Sequence, residues 1–312
     1  MADFERIRWP EGKDFAFTVF DDTDLVTLAN TKPVYDFCLG LGMKFTKSVW
    51  PLRGAAVPRV GGLTCEDQEY LAWTRQLQSA GVEIGYHLAT YHTSTRRESE
   101  HGLERFRELY GSYPLSMANH TGCDESIYWG SARLSGINRT VYNLLTRRRR
   151  HGRYFGHVPD HPLFWGDLCK ARIKYVRNFV TGEINTLKFC PSMPYHDPDR
   201  PFVNYWFSAS EGPEVKAFVR CISEHNQDRL EAEGGACIMY THFACGFVAD
   251  DKLHPRFEQL MTRLARKNGW FVPVATLLDY LLEQRGHRDI TRPERAQLER
   301  RWLGTKLFTG TS

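Results

Sequence analysis

The stretch Phe15-Ala16-Phe17-Thr18-Val19-Phe20-Asp21-Asp22-Thr23-Asp24 decides the fold. Residues 15–20 form a mostly apolar run of strand length that ends abruptly in acid. An open, doubly wound sheet that binds a nucleotide announces itself by a glycine-rich turn after the first strand. Here that turn is Asp21-Asp22-Thr23-Asp24, with no glycine.

Outward from this strand, apolar runs alternate with segments of helical period. Strands are expected over 44–52, 82–87, 115–120, 173–180, 205–209, 236–243 and 270–274. Helices are expected over 34–41, 66–80, 96–110, 138–146, 215–222, 255–267, 275–284 and 293–302, with Gly269 as a stop signal after 255–267. Such alternation along 312 residues implies a parallel sheet covered by helices. The fold class expected is α/β, a distorted (β/α) barrel of about seven strands. The barrel is expected over 1–290, with a divergent insert at about 123–202 and a helical tail over 291–312.

Composition excludes several classes. The chain is 42% apolar and 25% charged, a soluble globular mixture. A net charge of +4 does not argue for nucleic acid. The dense basic run at 147–150 reads as a solvated loop, with a site for substrate phosphates as the sharper alternative. The first residues lack an apolar export core, and no stretch approaches the roughly 20 apolar residues of a membrane span. Eight cysteines without a Cys-x-x-Cys read as reduced thiols. The expected compartment is the cytoplasm, where an enzyme meets precursors rather than finished polymer.

Active sites of such barrels lie at the C-terminal ends of the strands. Those ends carry Asp21 and Asp22, His87 with His92 five residues on, Asn119-His120, and Thr241-His242. One strand-end Asp or His alone is more often a cap or a satisfied core residue. Four such ends together converge on one rim. Two imidazoles and a carboxylate leave open positions on a metal, as a catalytic site requires. Adjacent aspartates on extended chain point in opposite directions, so one can bind metal while the other acts as base. A distant histidine, His242, could protonate a leaving amine.

These residues resemble the motifs of the polysaccharide deacetylase (NodB-homology) family, over residues 14–282. Val19-Phe20-Asp21-Asp22 resembles its first motif, Glu83-Ile84-Gly85-Tyr86-His87-Leu88-Ala89-Thr90-Tyr91-His92 its second, and Ile238-Met239-Tyr240-Thr241-His242 its last. The resemblance implies a metal-dependent hydrolase that removes an N-acyl group from an amino sugar or glycan precursor. It places the base at Asp21, the acid at His242, and one divalent ion, zinc by choice, on Asp22, His87 and His92. Three departures stand out. The paired histidines are five apart rather than four. The arginine usual in the third motif is replaced by Met117-Ala118-Asn119-His120, and the fourth motif survives only as Tyr205-Trp206.

His120, Asn119, Arg177 and Trp206 are the expected substrate contacts. His120 stands there as an alternative third ligand, and Arg177 as partner for a phosphate or carboxylate. Asp24 is assigned a supporting role behind the ligands, with ligation in reserve. The expected partner is an acylated amino sugar, nucleotide- or lipid-linked among the options. No nucleic acid is expected, and an oligomer is left open. Two other readings remain. One is a deformylase or other linear C–N amidohydrolase on a non-polymeric substrate. The other is a catalytically silent carbohydrate-binding protein on the same barrel.

Overall fold

The first strand hydrogen-bonds the last strand of the sheet along its whole length, which closes the sheet on itself. In this computed structural model, residues 7–55, 58, 60–147 and 152–309 are described. Arg148, Arg149 and Arg150 of the basic run, and the first six residues, lie outside them. The barrel strands are β1 (Phe15–Asp21), β2 (Thr46–Val49), β3 (Glu83–Tyr86), β4 (Ser116–Met117), β5 (Tyr175–Thr181), β6 (Tyr205–Glu211) and β7 (Ala236–Thr241). They are parallel, in sequence order, and β1 pairs β7 from Ala16↔Ala236 to Asp21↔Thr241. A hairpin, β8 (Val248–Ala249) and β9 (Lys252–Leu253), stands apart. The short β10 (Gly269–Trp270) pairs the start of β1 while β2 pairs only its end. This split edge is the distortion of the barrel, and the expected fold class is borne out.

Helices cover the strands. They are α1 (Leu28–Gly40), α2 (Gln68–Ser79), α3 (Arg96–Tyr110), α4 (Gly136–Leu145), α5 (Gly166–Arg172), α6 (Thr186–Phe189), α7 (Val215–Cys221), α8 (Glu224–Glu233), α9 (Pro255–Ala265), α10 (Val274–Arg285) and α11 (Arg292–Thr309). Local chemistry sets their ends. Thr27 with Asn30, and Thr95 with Glu98, form reciprocal caps on α1 and α3. Gly111 closes α3 at φ 85°, a conformation that glycine adopts without steric cost.

Some boundaries differ from the sequence reading. The cap at Thr27 starts α1 ahead of Pro33, where the apolar period had suggested a start after it. The strand expected over 270–274 stops at Trp270, because Pro273 has no N–H to add to a ladder. Helix α8 was not expected: only Gln227 and Leu230 of it are buried, too few to show a period.

At the N-terminal end of the barrel Glu83 is a hub. Its carboxylate accepts from Thr46 Oγ1 (2.7 Å), Ser116 Oγ (2.6 Å) and the Ala275 N–H (2.9 Å), tying β2, β3, β4 and α10 together. The eight cysteines form no disulfide. Among the described residues no helix is long and apolar enough to cross a membrane.

Candidate metal centre and its carboxylate partners

The register of three strand pairs builds the site. Asp21 lies opposite Thr241, which sets His242 beside the turn after β1. Tyr86 lies opposite Met117, so His87 and, two residues further along its strand, His120 emerge side by side from neighbouring strands. Leu88, immediately after His87, takes a left-handed φ of 69°, uncommon for a side chain of this size.

Three side chains converge. The Asp24 carboxylate lies 3.1 Å from His87 Nε2 and 3.0 Å from His120 Nδ1, and these two ring nitrogens are 3.3 Å apart. All three residues are buried. Two imidazole nitrogens this close cannot both hold a proton facing the other without repulsion. One cation between them would take both lone pairs and the carboxylate. Bonds of about 2.0–2.1 Å to one ion require ligand–ligand edges of roughly 2.9–3.4 Å, whether tetrahedral or octahedral. The three observed separations fit that range, so the residues suit a divalent ion. Trp50, fully buried, walls the site, its ring 5.8 Å from that of His87 and 5.6 Å from that of His120.

His242 completes the cluster from β7. Its Nδ1 faces the Pro213 carbonyl at 2.8 Å; a carbonyl only accepts, so Nδ1 carries hydrogen. That orients Nε2 toward Asp24, at 3.3 Å. Burial alone would lower the His242 pKa, but Asp24 and Asp22 outweigh it and raise it to about 9. Burial alone would raise Asp24. Hydrogen bonds from His120, His242 and His87 outweigh that and hold its carboxyl well below the usual range.

Asp22 and Arg177 form a buried bidentate pair, with Arg177 Nη1 and Nη2 2.8 and 2.6 Å from the two carboxylate oxygens. The guanidinium lies 4.3 Å over the Tyr240 ring. Asp22 also stands within reach of Asp24 and His242, as a second group with metal-ligand spacing. Asp21 points the other way, beneath the rim. It accepts from the Phe243 N–H (2.8 Å) and Tyr35 Oη (3.1 Å) and pairs with the buried Lys47 Nζ (2.9 Å). Burial raises its pKa, opposed by Lys47 and the Phe243 N–H.

The fold resembles that of a candidate polysaccharide deacetylase from Mycobacterium smegmatis, with a TM-score of 0.50 and 12% identity over 92% of this chain and 97% of that one. The barrel is that of the NodB-like deacetylases. A candidate polysaccharide deacetylase from Pseudomonas aeruginosa PAO1 gives 0.48 and 11% identity, covering 90% of this chain and 95% of that one. PuuE allantoinase gives 0.45 and 12%, covering 97% and 95%. No protein-family model matches the sequence, and no curated protein matches it.

On this barrel the residues expected from the sequence fall into two sets. Asp22, His87, His120 and His242 meet at the rim. His92, expected as the third ligand, belongs to neither group of metal-ligand spacing. Its Nδ1 donates to the Thr93 carbonyl at 2.9 Å, and its Nε2 lies against Gly54, where an added Cβ would come within 2.1 Å. The imidazole that lies beside His87 is that of His120.

The other expected substrate contacts have partners within the protein. Arg177 is 3% exposed and committed to Asp22, so it cannot meet a substrate phosphate or carboxylate. Asn119 is spent on backbone, donating to the Ile127 carbonyl (3.0 Å) and accepting from the Ile127 N–H (2.8 Å). Trp206 is 1% exposed and packs on Tyr128, a core role. Lys47 went unrecognised beside the site, whereas Asp24, expected behind the ligands with ligation in reserve, lies in both groups of metal-ligand spacing. The signal for Asp24 was its spacing: residues two apart on extended chain face the same side, so Asp24 shares the rim with Asp22, and Asp21 does not.

Proposed function

We propose that the protein is a metal-dependent amidohydrolase that removes an N-acyl group from an amino sugar or glycan precursor. The convergence of Asp24, His87 and His120 beside Asp22 and His242 carries this reading. The first three would hold the ion, and zinc suits two imidazoles and a carboxylate. When bound, the ion would polarise the acyl carbonyl and lower the pKa of the attacking water toward neutrality.

The chain's own residues supply the rest. Asp22, rather than Asp21, is the base: Arg177 uses two of the roughly four lone-pair sites of its carboxylate, and the others remain to accept a proton from water. Asp21 has both oxygens engaged below the rim and no path to substrate. His242, its Nδ1 hydrogen held by the Pro213 carbonyl, would give the proton of Nε2 to the leaving nitrogen. A carboxylate and a histidine beside the proposed metal ligands have no use in a silent binding protein, which disfavours that reading.

The test is metal analysis of the purified protein, then zinc reconstitution and amine release on a panel of acylated amino sugars and non-sugar amides. Release from the sugars is expected. An ion bound without turnover of any amide would favour the silent binder, and release from non-sugar amides alone would move the substrate class.

A further inference from the structure

Two charged side chains beneath the rim have no part in the chemistry at the metal. Asp21 and Lys47 are fully buried, with Lys47 Nζ 2.9 Å from Asp21 Oδ2. Taking two ions out of water costs about what their attraction returns, so such a pair is weak evidence of stabilisation, and an apolar pair of similar volume would hold the strands as well. The carboxylate, however, has further partners. Asp21 Oδ1 accepts the Phe243 N–H at 2.8 Å, and Oδ2 accepts from Tyr35 Oη at 3.1 Å.

Phe243 directly follows His242, where β7 has ended. The ladder between β1 and β7 stops at Asp21↔Thr241, and beyond it the Asp22 N–H donates to the Thr241 carbonyl at 2.8 Å. The chain then turns, and the His242 carbonyl accepts the Cys245 N–H at 2.9 Å. The His242 carbonyl and the Phe243 N–H belong to one planar peptide unit. Asp21 therefore holds one side of that plane and Cys245 the other. Fixing the plane fixes the backbone rotation of His242 on its C-terminal side. The imidazole leaves the turn with Nδ1 on the Pro213 carbonyl, at 2.8 Å, and Nε2 toward Asp24, at 3.3 Å.

We propose that Asp21 and Lys47 are positioning residues for His242. Lys47 fixes the carboxylate, the carboxylate fixes the peptide between His242 and Phe243, and that peptide aims the ring. A hydrogen bond from a backbone N–H to a carboxylate is roughly twice as strong as one to a neutral acceptor, which suits a turn that must not drift. Its use in catalysis rests on His242 as the acid; the aim of the ring does not.

The test compares two double variants, neither of which leaves a buried charge alone. Asp21→Asn/Lys47→Met keeps an oxygen for the Phe243 N–H, and its new amide can donate to Tyr35 Oη. Asp21→Leu/Lys47→Met keeps none. In the zinc-reconstituted protein, nuclear magnetic resonance of the histidine rings should show a protected Nδ1–H of His242, assigned by its loss in His242→Gln. The asparagine variant should retain it. In the leucine variant its exchange should rise on the order of tenfold or more, as for the loss of one buried hydrogen bond. Tyr35→Phe loosens the same carboxylate without touching either charge, and should speed that exchange to a lesser degree even where the leucine variant does not fold. On an unactivated amide the leucine variant should lose on the order of 10²-fold in kcat, the usual effect of a small misplacement. An activated anilide should recover most of that rate, and adding His242→Gln should cost little more. General damage to the fold would slow both substrates alike. Equal protection of the His242 ring in all these proteins would overturn the proposal, as would equal rate losses on the two substrates. Absence of turnover by the parent, with the ring protected in the asparagine variant and not in the leucine one, would discard the acid and keep the positioning role.

Discussion

His120 Nδ1 lies 3.0 Å from an Asp24 oxygen, so the turn after β1 and the end of β4 meet across the mouth of the barrel. His87 Nε2 stands 3.1 Å from the other oxygen of the same carboxylate. Asp24 is thus the partner that His87, His120 and His242 share. Its removal leaves three imidazoles around a gap, and their only common anion is gone.

Metal content should therefore follow Asp24 and His120. Asp24→Ala, His87→Ala and His120→Ala should each weaken zinc binding on the order of 100-fold or more, since outer partners of ligands alone are worth about 10- to 100-fold. His92→Ala should keep the ion. Metal analysis after dialysis against a weak chelator separates the two cases. Loss of zinc from the His92 variant, with retention in His120→Ala, would restore the assignment that the sequence motif suggests.

Gly122 offers a test that leaves every ligand in place. A Cβ built there would lie 2.9 Å from His120 Nε2, closer than real Cβ atoms approach. Gly122→Ala should push the imidazole aside and lower zinc affinity about 10- to 100-fold, the usual effect of disturbing a ligand's support. Competition with a fluorescent chelator measures this, and an unperturbed melting curve of the metal-free protein would show that the fold is kept.

The barrel was legible because its strands are buried on both faces and read as short apolar runs between turns. The rim was legible for the same reason: a polar residue ending an apolar strand is conspicuous, as at His87 and His242. Direction was harder. Asp21 and Asp22 look alike in sequence, but the pleat sends Asp21 down to Lys47 and Asp22 up to Arg177. The partner of Asp22 was also concealed: Arg177, on β5 and far away in sequence, was expected to meet a phosphate or carboxylate of the substrate rather than one of the chain's own. His92 faces Thr93 and Gly54 because a loop of Leu88, Ala89, Thr90 and Tyr91 sets its direction by backbone geometry rather than by spacing.

The Asp22–Arg177 pair should separate catalysis from metal binding. Asp22→Asn should retain zinc and lose on the order of 10²–10⁴ in kcat, the usual worth of a positioned base. Arg177→Met leaves Asp22 buried without its counter-charge, and breaking a buried pair from one side costs about 3–5 kcal/mol of stability. Arg177→Lys should recover part of the stability but less of the activity, since an ammonium cannot hold both oxygens in the guanidinium geometry. Urea unfolding and steady-state kinetics on the same three proteins provide the check.

His242 is expected to matter for turnover more than for ion binding. His242→Gln should hold zinc and lose on the order of 10²–10⁴ in kcat. A better leaving group needs no protonation, so an activated anilide substrate should recover most of that rate. A variant that loses its zinc would instead make His242 a ligand, in keeping with its place 3.3 Å from Asp24.

Glu125 should make stability depend on pH. Its side chain is buried beside the Ser94 N–H and hydroxyl, which form no well-aligned hydrogen bond to it. Burial pushes its pKa up to about 8, and Ser94 opposes this only in part. An unfolded chain titrates this group near about 4.3. The folded state therefore binds the proton more tightly than the unfolded state does. The contribution of neutral Glu125 is complete below about pH 4, declines as pH rises, and is lost above about pH 8. Within that window the slope approaches about 1.4 kcal/mol per pH unit. Asp21 and Glu83, also raised by burial, act in the same direction and are common to parent and variant. The difference between them isolates Glu125. Glu125→Gln should match the parent near pH 4 and exceed it in urea midpoint at pH 8.5. Parallel pH profiles for the two proteins would mean that the carboxyl ionises in the folded state as easily as in water, and that the pocket is wetter than its burial implies.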